Sequence, residues 1–316
     1  EPYLTYLYNI GRDLNSLRWW ISSLSYRRVD GSSKTFHQAC YLKVALDLMR
    51  TWQGPEPLVI VVLDKPVRAA LARNLATYGG VRASVFGTRR SFPLHSVWDM
   101  VNMGAHRAFF TFKQTYRIFQ SRRMIPGPHV ATEPTTLLIS WATPDNLDHG
   151  GEFHKSFFGD LAIQLGQLGS RVAVVPMILP GVRYKGALLR LRNACYPLLI
   201  PHRCLSFLDL ISTAISSCAK PPLPRSIPTL CGMDISPLIR EDSRKHWVSN
   251  QAVDALLMLP LVRRWASLAS SITRIIYLYE NQPWERALCW EVKRSLPNAV
   301  LVGYQHARAP RLLLNF

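Results

Sequence analysis

The stretch "RIIYLYENQPWERALCWEVKRSLPNAVLVGYQHARAP", Arg274 to Pro310, holds two short apolar runs separated by a helical pattern. RIIYLY (274–279) and AVLVGY (299–304) have the length and the β-branched and aromatic content of buried strands. Between them, PWERALCWEVKRSL repeats its apolar residues at helical spacing, with Pro283 in the first turn. Strand, helix and strand at this spacing predict a parallel crossover unit. Polar residues trail each run: Glu280, Asn281 and Gln282 after the first, Gln305 and His306 after the second. Parallel neighbours lie ~4.8 Å apart and end at the same edge of a sheet, so both polar sets are expected to face one cleft.

Working outward, the alternation continues. TTLLISW (135–141) and RVAVVPMI (171–178) are strand candidates, separated by the helical SFFGDLAIQLGQLG. PLVIVVLDK predicts a buried strand over about Leu58 to Leu63, VRAALARNLATYGG a helix after it, and VRASVF a further strand. NQAVDALLMLPLVRRWASLASSI predicts a long helix kinked at Pro260, whereas the proline-rich KPPLPRSIP must be loop. The first fifty residues read as helical, FHQACYLKVALDLMRTW ending at Gly54-Pro55. The expected fold is therefore α/β: a Rossmann-like, mostly parallel sheet with helices on both faces, over residues 54–316, preceded by a helical segment, 1–53.

Residues from about 88 to 125 interrupt this pattern as a helical insertion. Val97, Val101, Ala105, Ala108, Phe112, Tyr116 and Phe119 fall on one helical face, amid Arg89, Arg90, Arg107, Lys113, Arg117, Arg122 and Arg123, with Asp99 the one opposing charge. A basic amphipathic helix of this kind either lies in a membrane interface, its bases meeting phosphates, or packs on its own sheet.

The 316 residues, 48% of them hydrophobic, suffice for a sizeable core. A formal charge of +18 attracts phosphates, anionic lipid or nucleic acid. The bases lie in patches rather than in a tail or one recognition helix, and no nucleic-acid motif occurs, so nucleic acid is the disfavoured partner. Cys40, Cys195, Cys204, Cys218, Cys231 and Cys289 include no CxxC, and the histidines have no ligand spacing, so no metal site is expected. Reduced thiols, no visible signal peptide and no apolar run near the ~20 residues of a membrane span point to a cytoplasmic chain. There is no GxGxxG, Walker loop or GxSxG elbow.

Ligands of open parallel sheets bind beyond the carboxyl ends of the strands. After TTLLISW come Trp141, Thr143, Asp145, Asn146, Asp148 and His149; after RIIYLY come Glu280, Asn281 and Gln282. An acid that ends a buried strand is costly unless paired or used, which singles out Glu280. Glu285 reads equally as an acid in the first turn of a helix, Asp145 as a turn former, and His306 as a loop histidine.

YENQPWERAL followed by GYQHARAPRLLLNF resembles a family of bacterial surface carbohydrate biosynthesis proteins, associated with O-antigen and capsule assembly and similar to two-domain GT-B glycosyltransferases. LLISWATPDNLDHGGEFHKSFFGDL and GMDISPLIRED resemble further segments of that family. The resemblance implies that Glu280, Gln282, Trp284, Glu285, Gln305 and His306 line an interdomain cleft. It also implies that this chain is the N-terminal, acceptor-side half, and that a nucleotide-sugar domain follows in the whole protein. Expected chemistry is sugar transfer from a nucleotide-sugar donor, a substrate rather than a cofactor, to a lipid-linked glycan acceptor. The base would be Glu280, then His306, then Asp145. Gln282 and Gln305 would bind sugar hydroxyls or donor phosphate, and Trp141 or Trp284 would offer a sugar platform. The protein would then sit peripherally on the anionic inner face of the bacterial inner membrane. A noncatalytic carbohydrate-binding or scaffolding half-protein is the rival reading, and a basic nucleic-acid-binding domain a further one.

Overall fold

A computed structural model describes residues 2–25, 33–77, 94–126, 135–147, 157–179, 181–194, 197–220, 222–268 and 271–305. They form two compact units. The first takes the described residues of Glu1–His106 and Cys218–Ala252, and the second those of Arg107–Ser217 and Val253–Arg308. This division differs from the expected one at residue 53, because Leu230–Ile239 share a core with the N-terminal helices.

The first unit is helical: α1 (Pro2–Leu14), α2 (Leu17–Trp20), α3 (Thr35–Thr51), α4 (Lys65–Thr77), the start of α5 (Leu94–Met124), and, after the intervening second-unit segment, the Ser236–Val248 helix. Leu7, Trp19, Leu42, Ala70, Leu238 and Ile239 make its core. The expected strand at Leu58–Leu63 is absent. These residues have no ladder partner among those described; Ile60 and Val62 touch the core, while Val59, Val61 and Leu63 are 79%, 79% and 89% exposed. Alternation is present, but it serves a segment lying on helices instead of a strand within a sheet. The VRASVF candidate lies outside the described residues.

The second unit is α/β and Rossmann-like, with one four-stranded, all-parallel sheet flanked by helices. Its elements are β1 (Thr135–Ala142), α6 (Pro144–Leu147), α7 (Leu161–Gln167), β2 (Arg171–Ile178), α8 (Tyr184–Leu191), α9 (Pro201–Cys204) and α10 (Phe207–Ser217). The Ser236–Val248 helix is α11 in chain order, followed by α12 (Gln251–Leu256), α13 (Met258–Leu268), β3 (Ile272–Leu278), α14 (Pro283–Ser295) and β4 (Val300–Tyr304). The strand order is β2-β1-β3-β4. Central β1 and β3 bury nearly every side chain, as the apolar runs require of a sheet covered on both faces. β2 carries Pro176, which edge strands tolerate because one side of the strand need not donate to a ladder.

The predicted single helix with a kink at Pro260 is two helices. α12 stops at Leu256, four residues before Pro260, whose ring has no N–H to give that carbonyl and collides with it. α13 then packs against α14, where Arg263 meets the buried Glu291 carboxylate at 2.9 Å.

Candidate functional site at the carboxyl edge of the sheet

β3 and β4 pair in parallel, with Leu278 opposite Tyr304, and the Tyr279 N–H donates to the Tyr304 carbonyl at 2.9 Å. Glu280 and Gln305 therefore emerge from the same edge of neighbouring strands. The close approach is possible because Gly303 lies across from Tyr277: a Cβ there would sit 3.2 Å from the Tyr277 hydroxyl and 3.3 Å from Tyr279 Cβ.

The loop after β3 is tied down by Glu285. Its Oε1 accepts the backbone N–H groups of Glu280 and Gln282, and its Oε2 that of Asn281, all at 3.0 Å. Asn281 adopts a left-handed φ of +59°, a conformation Asn tolerates, and its Oδ1 accepts from Arg286 at 2.8 Å. This turn lets the chain reverse out of β3 straight into α14, with Pro283 at a helix start where no N–H is needed. Burial pushes the Glu285 carboxyl up to about 7, and the three amide donors act against that rise. Only 2% exposed, Glu285 spends both oxygens on the backbone. Its expected contact with substrate gives way to a positioning role, setting the path of Glu280–Gln282.

Aromatic rings floor this edge. Trp141, at the end of β1, meets Trp284 edge-to-face at 5.8 Å, and Trp284 meets Tyr277 at 6.3 Å. Tyr279 continues the row 6.5 Å from Tyr277. Both tryptophans are half-buried and packed on each other. The Trp284 indole N–H is buried without an acceptor among the described residues. Tyr277 and Tyr279 were legible as i and i+2 of one strand face but not as part of this row. Nothing in the sequence singles out Arg286 as the clamp on Asn281.

Of the predicted residues, the edge brings together Glu280, Gln282, Trp284, Glu285, Gln305 and Trp141, with Glu280 and Gln282 half-buried and Gln305 exposed. Asp145 falls within α6, directly after β1. His306 lies outside the described residues, as do Arg89 and Arg90. Arg107, expected at a membrane or phosphate, is buried on the inner side of α5 and is excluded from such a contact. Arg117 is half-buried and stacks 5.0 Å over the Tyr184 ring. Lys113, Arg122 and Arg123 are exposed.

Among the described residues no three His, Cys, Asp or Glu side chains gather as a metal site requires. An open groove of about 750 Å³, lined by Thr5, Tyr6, Asn9, Arg12 and Thr229 among others, belongs to the first unit and contains none of the predicted site residues. No helix among the described residues is long and apolar enough to cross a membrane. No family model matches the chain, and neither a curated protein nor a solved structure matches it.

Proposed function

We propose that this edge is the acceptor-side wall of a sugar-transfer site of bacterial surface polysaccharide biosynthesis. The observation that supports the reading most is the parallel β3–β4 pair, which sends an acid, amides and aromatic rings out of one end of the sheet. Transfer from a nucleotide-sugar to a hydroxyl needs a base at the acceptor oxygen, and Glu280, half-buried at this edge with its backbone N–H held by Glu285, is our first choice for it. His306 and Asp145 are the next choices. Gln282 and Gln305 offer amide donors and acceptors to sugar hydroxyls. A nucleotide-binding domain would complete the cleft, the acceptor would be lipid-linked, and the protein would act peripherally at the inner face of the bacterial inner membrane.

The test is Glu280→Gln in the complete protein, assayed for transfer from nucleotide-sugars to a lipid-linked acceptor. The variant keeps the shape and loses the proton acceptor, so turnover should fall by a factor of at least ~10², with an unchanged melting temperature. Wild-type turnover by Glu280→Gln would remove Glu280 from the chemistry. Retained glycan binding by a wild-type protein that transfers nothing would favour the noncatalytic carbohydrate-binding reading.

A further inference from the structure

The part of α5 within the second unit, Arg107–Met124, buries a mixed polar and apolar face and leaves a row of aromatic rings on its outer side. Phe110, Gln114, Ile118 and Ser121 face inward, and their polar members have partners: Gln114 meets His202 at 2.7 Å, and Ser121 meets the Tyr184 hydroxyl at 2.6 Å. Arg122 also anchors this end, donating to the Leu205 carbonyl at 2.9 Å. The outward face carries Phe109, Phe112, Tyr116 and Phe119, which are 65%, 73%, 56% and 60% exposed. At 100° per residue these four span about 80° of the helix, on the side opposite the buried set. Four exposed large rings in one row are a patch that needs a partner, not the scattered single apolar residues of ordinary surfaces.

The charge on this segment selects among partners. Arg107, Lys113, Arg117, Arg122 and Arg123 are its only formal charges, and no acid accompanies them. Exposed Lys113, Arg122 and Arg123 flank or end the aromatic row. The segment's bases outnumber Asp254, the acid within electrostatic reach of Arg117 and Lys113, so a second copy seated ring-to-ring would set two net positive faces against each other. Nucleic acid binds basic grooves with aromatic stacking platforms, whereas here the rings project from the convex side of a single helix. An anionic lipid surface supplies both halves of the match: an apolar boundary region for the rings and phosphates for the bases.

We propose that the Arg107–Met124 segment of α5 docks in the plane of an anionic bilayer, Phe109, Phe112, Tyr116 and Phe119 entering the headgroup–acyl boundary and Lys113 and Arg123 meeting lipid phosphates. This deepens the reading above by naming the surface that meets the membrane, and it rests on that reading only for which membrane is involved. The lipid contact is ordinary bilayer phosphate and acyl chain, not the acceptor itself.

The test is sedimentation of the full chain with vesicles of phosphatidylcholine alone or with 30 mol % phosphatidylglycerol, a typical anionic fraction at roughly physiological charge. Wild-type protein should partition at least ~10-fold more strongly into the anionic vesicles, with the preference falling as salt rises. Phe112→Glu combined with Phe119→Glu should cut partitioning at least ~10-fold with unchanged circular dichroism and melting temperature, since both rings are already in water. Lys113→Glu combined with Arg123→Glu should abolish the anionic preference. Vesicle binding unaltered by the Phe112/Phe119 pair would overturn the proposal. So would absence of binding, a wild-type dimer that the pair dissociates, or a preference for RNA over vesicles that the pair abolishes. Glu280→Gln should bind vesicles like wild type, so failure of the transfer assay and failure of docking are read separately.

Discussion

Replacing Glu285 by Gln tests the loop that sets the candidate site. The carboxylate accepts three backbone N–H groups with two oxygens. A Gln side chain retains one oxygen. Placed where Oε1 now sits, that oxygen keeps the Glu280 and Gln282 bonds, but its NH₂ group then faces the Asn281 N–H, donor against donor. The loss is one buried hydrogen bond and one stranded donor, about 1–3 kcal/mol. The wild-type side has a pH term of its own. Burial first, opposed by the amide bonds, raises the carboxyl from an ordinary 4.5 to about 7. A group that holds its proton more tightly when folded contributes stability in full below pH 4.5 and loses it as pH rises through 7, in total roughly 3 kcal/mol. Gln does not titrate. The stability gap between wild type and Glu285→Gln should therefore be widest near pH 4.5 and shrink by a few kcal/mol by pH 8. Urea unfolding followed by circular dichroism between those limits measures the gap, and amide hydrogen exchange at Glu280–Gln282 localises it. A gap that stays constant across the range would refute the titration; unchanged exchange protection at Asn281 would refute the clamp.

Asp242 in the first unit behaves alike: burial lifts it from 3.8 to about 6 despite the Ser23 hydroxyl donating at 2.8 Å. Asp242→Asn should be less stable than wild type at pH 4 and equal or better at pH 8, as read from melting temperatures at the two pH values. Glu291 runs the other way, because the bonds from Arg263 and Ser295 overcome its burial and hold it low. Arg263→Met should cost about 1–3 kcal/mol at pH 7, most of it leaving below pH 4 as Glu291 takes up a proton, with denaturant midpoints as the readout.

The parallel unit was legible because its signals agree at several levels. RIIYLY and AVLVGY are too short and too β-branched for helices, and Pro283 and Glu285 mark where the helix between them begins. The same local evidence misled at Leu58–Leu63. Alternation shows that Ile60 and Val62 share a side; whether a neighbouring strand receives them depends on chain far away. α5 carries the same lesson on helical spacing. Periodicity groups Phe112, Tyr116 and Phe119 correctly, yet cannot say that Gln114 and Ser121 find polar partners inward and so leave the rings outside. Glu280 was readable as an acid closing a buried strand. The use of Glu285 to bind three amides required the left-handed Asn281, which no spacing rule reports.

The strand order also bears on how the chain is made. β1 joins β2 soon after synthesis, but its other side waits for β3, which arrives about a hundred residues later. At ~5–20 residues per second, a nascent chain presents the apolar flank of Leu137 and Ile139 for roughly 5–20 s before the ribosome delivers its match. Ile275 and Tyr277, opposite Leu137 and Ile139, are what finally close that flank. A chain stalled after α10 would remain a substrate for chaperones and proteases, whatever the completed molecule does.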